Sequence, residues 1–124
     1  MNEDSGIIGI KELLQGLPRE MQFWHCFGQV HEFKYYKIYD YEEWHERYDA
    51  EIVLSDRDEK VKIWLKLKNV IGDIKLHMTQ SISGLNIRNL RKECGFESGV
   101  GFHLYDFENE DISVYCEEIE AKIL

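Results

Sequence analysis

Five histidines and three cysteines are the side chains of this 124-residue chain best suited to hold a metal ion or act as nucleophiles. His25 and Cys26 adjoin, and His31 follows five residues beyond Cys26. A zinc site needs three or four converging nitrogen or sulfur ligands. On a strand, adjacent side chains point to opposite faces, so His25 and Cys26 cannot share an ion, and no metal site is assigned. Cys94, within Lys92-Glu93-Cys94-Gly95, has no base beside it. The glycines of Glu97-Ser98-Gly99-Val100-Gly101 lack the lysine of a phosphate loop and lie between acids that repel phosphate. The sequence has no Gly-x-Ser-x-Gly, His-Glu-x-x-His or dinucleotide fingerprint. Its 24 acidic residues could assemble a glycosidase-like pair by accident, but pairs such as Glu42/Glu46 ordinarily form a solvated face. No catalytic residue and no cofactor is therefore assigned, and the chain is not expected to be an enzyme.

The residues from Tyr35 to Tyr48 suggest recognition instead. Tyr35, Tyr36, Tyr39, Tyr41, Trp44 and Tyr48 alternate there with Asp40, Glu42, Glu43, Glu46 and, just beyond, Asp49. Tyr and Trp provide large contact areas at protein interfaces, and neighbouring carboxylates pair with Lys or Arg on a partner and speed encounter. Core filling is the competing use for these aromatics, because strand alternation must bury some of them. The candidate partner-binding patch is Asp40, Tyr41, Glu42, Glu43, Trp44, Glu46 and Asp49. A second candidate is Glu108, Glu110, Asp111, Glu117 and Glu118.

Elements must position these groups. Ile10, Leu13, Leu14 and Leu17 recur at helical spacing; Asp4 or Ser5 is placed to cap that helix, and Gly16 with Pro18 to stop it. Residues 22–30 and 33–41 lean towards strands, with a short helical turn expected from Glu42 to Arg47. Ala50, Ile52 and Leu54, then Val61, Ile63, Leu65 and Leu67, share one face of a hairpin around Asp56-Arg57-Asp58-Glu59, while Lys62, Lys66 and Lys68 face outward. Trp64 falls on that lysine face, so either another element covers it or it is a contact residue. Gly72-Asp73 predicts a turn, with Ile74, Leu76 and Met78 continuing beyond it. Ser81–Leu90 predicts a further strand, and residues 102–107 and 112–120 a last hairpin. In that final strand Ile112, Val114 and Cys116 share one parity, while Ile119, Ala121 and Ile123 share the other, which predicts a β-bulge near Glu117-Glu118. The fold class is α+β: an N-terminal helix on a twisted, mainly antiparallel sheet of six to eight strands, in one domain spanning 1–124.

Composition bounds the rest. The chain is 44% hydrophobic and 13% aromatic with a single Pro, unlike a disordered acidic chain. It shows no apolar run near 18 residues, no basic leader and no Cys-x-x-Cys spacing, so a cytoplasmic protein with reduced thiols is expected. The net charge of −9 is uneven: −1 over residues 1–38, −7 over 39–59, +7 over 60–92 and −8 over 93–124. Were the two acidic segments to meet, their face would repel nucleic acid and anionic lipid and attract basic proteins. The basic segment between them could equally fold against the acids and cancel them.

Tyr48-Asp49-Ala50-Glu51-Ile52, Leu65-Lys66-Leu67-Lys68-Asn69-Val70, Ser83-Gly84-Leu85-Asn86-Ile87 and the hairpin Tyr105-Asp106-Phe107 to Ile112-Ser113-Val114-Tyr115-Cys116 together resemble bacterial immunity proteins of polymorphic toxin systems, in particular the immunity protein 50-like group. The resemblance covers roughly residues 45–120. Tyr48 stands where that group has a histidine, so no role of that histidine carries over. The resemblance implies a non-catalytic inhibitor that binds a basic cognate toxin domain, often a nuclease; a monomer or weak homodimer is expected. A small ligand-binding or enzymatic domain with a Tyr/Trp-lined pocket is the alternative, and a structural subunit of a larger assembly a third reading.

Overall fold

The computed structural model describes residues 1–77, 81–94 and 100–124, of Cys94 the backbone alone. Six antiparallel strands form one open sheet: β1 (Gln29–Asp40), β2 (His45–Ser55), β3 (Lys62–Leu76), β4 (Leu85–Asn89), β5 (Phe102–Asp106) and β6 (Ile112–Ile123). Their spatial order is β1-β2-β3-β6-β5-β4. The expected positions of Met78 and of the 95–99 loop lie outside the described residues. Among those described, no helix is long and apolar enough to cross a membrane.

The expected hairpin of residues 50–67 is present. Ala50, Ile52, Leu54, Ile63, Leu65 and Leu67 are all within 1% of complete burial, and each large side chain so buried stabilises the fold by about 1.5–3 kcal/mol. The N-terminal helix is shorter than its spacing suggests. Helix α1 (Ile10–Gly16) is capped by Gly9 without a side-chain bond, while Ser5 Oγ instead accepts the Ile7 N–H at 3.3 Å. Ile10, Leu13 and Leu17 are buried, together with Trp24 and Phe27 from the 3-10 turns that precede β1. The segment ahead of α1 also joins the sheet, with Ile8 making a parallel bridge to Glu120.

Three local expectations change. Gly72 does not end a strand. It takes φ 74° inside β3, where the pairing with β6 slips between Ile71 and Lys75, so a bend replaces a turn. The strand expected over 81–90 shortens to Leu85–Asn89, and Leu90 opens helix α2 (Leu90–Cys94). Residues 42–47 form no helix, because His45–Arg47 pair with Ile38–Asp40 in β1.

The parity change in β6 is real, yet no one-strand bulge marks it. Lys68↔Glu118 and Val70↔Cys116 keep one register, and β3 changes parity at the same level, from buried Leu67 to buried Val70. Asn69 sits between them at φ 55°. Both strands therefore kink together. Gly101 lies against this kink, where a Cβ would come within 2.0 Å of the Glu117 carbonyl oxygen.

The basic segment folds directly against the acids. Lys34, Glu51, Lys66 and Glu120 are cross-strand neighbours across β1, β2, β3 and β6, a row of alternating sign on the outer face. Lys68 pairs with Glu118 at 3.6 Å in the same manner. The two acidic segments thus form no single negative face.

Candidate functional site

β2 and β3 part company at Ala50↔Leu67, because β3 bends away at Asn69. From there β1 and β2 continue alone as a two-stranded arm closed by the turn 41–44. An arm without a sheet behind it leaves its side chains in solvent: Tyr35, Tyr39 and Tyr48 are 38–48% exposed, Tyr41 is 75% exposed and Trp44 77%. Tyr35 stacks on Tyr48 at 5.0 Å and Tyr39 meets Tyr41 edge-on at 4.7 Å, so the rings stiffen the arm locally without forming a core.

Asp40 builds the turn. Its Oδ1 accepts the backbone N–H groups of Glu42 at 2.9 Å and Glu43 at 3.2 Å, and these bonds hold its carboxyl below the usual carboxylate range. Trp44 then takes φ 55°, a conformation a bulky side chain adopts at a cost. Strain at a side chain three-quarters exposed brings the fold little packing in return. The tip, residues 39–46, carries four carboxylates and no Lys or Arg. Lys37 reaches Glu46 at 3.3 Å and Arg47 reaches Asp40 at 3.7 Å from the strands below. The ligand atoms of Asp40, Glu43 and His45 lie within 4.8 Å of one another. The Asp40 turn and the His45–Glu43 contact at 3.4 Å account for that grouping, and it carries no metal assignment.

Asp49 is corrected as a contact residue, because it is fully buried. At the root of the arm its Oδ1 accepts from Arg47 Nε at 3.2 Å and from the Asn69 backbone N–H at 3.0 Å, while Oδ2 has no partner among the described residues. Asn69 Nδ2 continues the chain of bonds to Glu117 Oε2 at 2.8 Å. Asp49 therefore ties the arm to the kink of β3 and β6, and Glu117 belongs to that tie. The sequence hides this, since alternation places Asp49 with Glu51 and Val53 on the outer face. Of the remaining second-patch acids, Glu118 pairs with Lys68, Glu110 with Lys75 at 3.5 Å and Asp111 approaches His77 at 3.8 Å. Glu108 is exposed at the β5–β6 turn. The second set is thus dispersed, whereas Asp40, Tyr41, Glu42, Glu43, Trp44 and Glu46 are gathered on one tip.

Trp64 is half-buried and held within the outer face of the sheet. Its Nε1 donates to Glu51 Oε1 at 2.7 Å, and Lys122 lies over its ring at 4.5 Å. Glu51 also accepts from Tyr36 Oη at 2.7 Å, and these two bonds hold its carboxyl below its ordinary range. Burial, followed by the Glu51 bond, pushes the Tyr36 phenol up to about 12. His25 and Cys26 sit in a 3-10 turn rather than a strand; Cys26 Sγ points to the Glu20 carbonyl oxygen at 3.6 Å, and the His25 ring lies 5.5 Å from Phe23.

A recess of about 410 Å³ on the outer face of β5 and β6 includes His103, Tyr105, Phe107 and Ser113. His103 Nε2 lies 2.7 Å from Ser113 Oγ, and burial, then Arg88, lowers the His103 pKa. The same Ser–His contact recurs at 2.7 Å between His31 and the fully buried Ser55, where no substrate can reach. Among the described residues the histidines in ion pairs are His31, His45 and His77, and not His103. No protein-family model, curated protein or solved structure matches this chain.

Proposed function

We propose that this protein is a non-catalytic inhibitor of the immunity type, which binds a basic protein domain, such as a nuclease toxin, through the tip of the β1–β2 arm. One observation carries the reading: Tyr41 and Trp44, three-quarters exposed, sit among Asp40, Glu42, Glu43 and Glu46 on an arm that projects beyond the sheet. Rings so placed contribute little to folding and much to an interface, and the surrounding carboxylates favour Lys- and Arg-rich partners. Surface pairs such as Lys37–Glu46 are weak and leave the tip's field negative.

The test compares wild type with a Glu42→Lys, Glu43→Lys, Glu46→Lys variant as baits in parallel captures at low and moderate salt. The reading expects a stoichiometric basic protein held by the wild type, released as salt rises, and absent from the variant. Equal retention of the same protein by both baits refutes the tip as the site. The recess beside His103 supports the second reading, a small-ligand domain, and saturable binding of a small molecule there without any protein partner would favour it.

A further inference from the structure

The arm has an unpaired side as well as an exposed tip. β1 stands at the end of the sheet, and among the described residues its outer edge is covered only at the base, where Gln29 bridges Ser81 and the Ile82 N–H donates to the Gly28 carbonyl oxygen at 2.7 Å. Past the irregularity at Val30/Glu32, the eight residues Phe33–Asp40 pair in unbroken register with His45–Ile52 on one side. Among the described residues no strand pairs with them on the other. β4, at the opposite end, is only five residues long and runs straight into α2. A long, regular edge strand offers a row of unpaired backbone groups to any extended chain.

Beside the base of this edge lies an open recess of about 350 Å³, lined by Phe33, Tyr35, Gly72, Asp73 and Ile74. Nothing lies within 4 Å of where a Gly72 side chain would stand. Two aromatic walls and an exposed carboxylate suit the stem and charged head of a Lys or Arg. The tip acids begin five residues further along β1, about 17 Å at strand spacing.

Resting on the interface assigned above, we propose that the partner docks as an extended segment that adds a seventh strand to the Phe33–Asp40 edge, with one Lys or Arg in the Phe33/Tyr35/Asp73 recess and further basic residues against the tip. Charge argues for such a segment over a second copy of this chain, because two molecules of net charge −9 repel each other. Lys34 and Lys37 do not oppose it, being paired with Glu32 at 3.0 Å and Glu46 at 3.3 Å.

The probe is an acetylated peptide amide, Lys-Thr-Val-Thr-Val-Lys-Lys-Thr-Lys, with two backbone N-methylated versions carrying methyl groups on alternate residues in opposite phases. Alternate residues of an added strand turn their N–H groups to the edge, so one phase destroys the pairing and the other spares it. The unmethylated peptide is expected to shift and protect amide signals within Phe33–Asp40. One methylated version is expected to bind at least about tenfold more weakly and the other nearly as well as the parent. Asp73→Lys is expected to weaken binding several-fold while leaving the tip intact. Equal binding by both methylated forms, with loss on tip charge reversal, overturns the strand addition and leaves the tip interface standing. Strand protection that ignores tip charge reversal overturns the tip interface instead. No binding of the parent peptide, or self-association through Phe33–Asp40, overturns the proposal outright.

Discussion

Replacing Asp49 by Ala tests how the arm is held. The substitution removes the acceptor of the Arg47 Nε bond at 3.2 Å and of the Asn69 N–H bond at 3.0 Å, at a residue with no exposed surface. A hydrogen bond to a charged group contributes about 1.5–3 kcal/mol, and a buried donor left unpaired costs about 1–3 kcal/mol. Against these losses stands a gain, because Oδ2 is already buried without a partner among the described residues, and its removal relieves about 1–2 kcal/mol of the same kind of penalty. The expected net loss for Asp49→Ala is about 2–4 kcal/mol, a large share of a typical stability of about 5–15 kcal/mol. Asp49→Asn keeps an oxygen for both donors but gives up the charge and puts an NH2 group in place of buried Oδ2, so it should lose about 1–3 kcal/mol and less than Ala. Urea unfolding measures both, and native-state exchange of the Asn69 amide should quicken in the Ala variant. A loss below about 0.5 kcal/mol for Ala, or an Asn variant less stable than Ala, would refute the role of Asp49 as the anchor of the arm.

Glu51, whose pKa is depressed, contributes stability that is present above the ordinary carboxylate range and lost as pH falls through its folded value. Tyr36, raised to about 12, contributes stability that is present below about 10 and lost as pH rises from there to about 12; Tyr36→Phe should remove that alkaline loss in pH-dependent melts. His103 should titrate below the ordinary histidine value in a nuclear magnetic resonance pH series, and so remain neutral near pH 7. The Cys116 thiol, fully buried and pushed up to about 12 by that burial, should resist iodoacetamide until the chain is unfolded.

The sheet's centre was legible because its alternation is strict. Ile52, Leu54, Ile63 and Leu65 have one possible face, and Lys62 and Lys66 must take the other. The β6 parity change was legible for the same reason, although its form was not. The matching change in β3 turns on Asn69 at φ 55°; Asn tolerates that conformation better than most residues, but one Asn within an alternating run does not by itself mark where a strand bends. The consequences of that bend were therefore hidden as well: the freeing of the arm, the burial of Asp49 and the capture of Glu117 all depend on where β3 leaves β2. Residue type singled out Tyr41, Glu42, Glu43 and Trp44 as candidates, and strand alternation left open whether their rings were buried or, as found for Tyr41 and Trp44, exposed. Charge by segment left two outcomes open, and the second holds: Lys66 and Lys68 lie beside Glu120 and Glu118 in space rather than in sequence. Gly72 misled, as a glycine at positive φ serves a bend within a strand as readily as a turn between two.

Photo-crosslinking tests whether a basic protein binds the arm tip. A benzophenone amino acid is placed at Trp44 in one variant and at Phe107, beside the second acidic set, in another; both side chains are more than half exposed. Illuminated in lysate of cells that make the partner, the variant labelled at Trp44 should yield one covalent adduct with a basic protein, and the variant labelled at Phe107 none. An adduct from Phe107 with none from Trp44, or none from either, would contradict the assignment of the arm as the binding site.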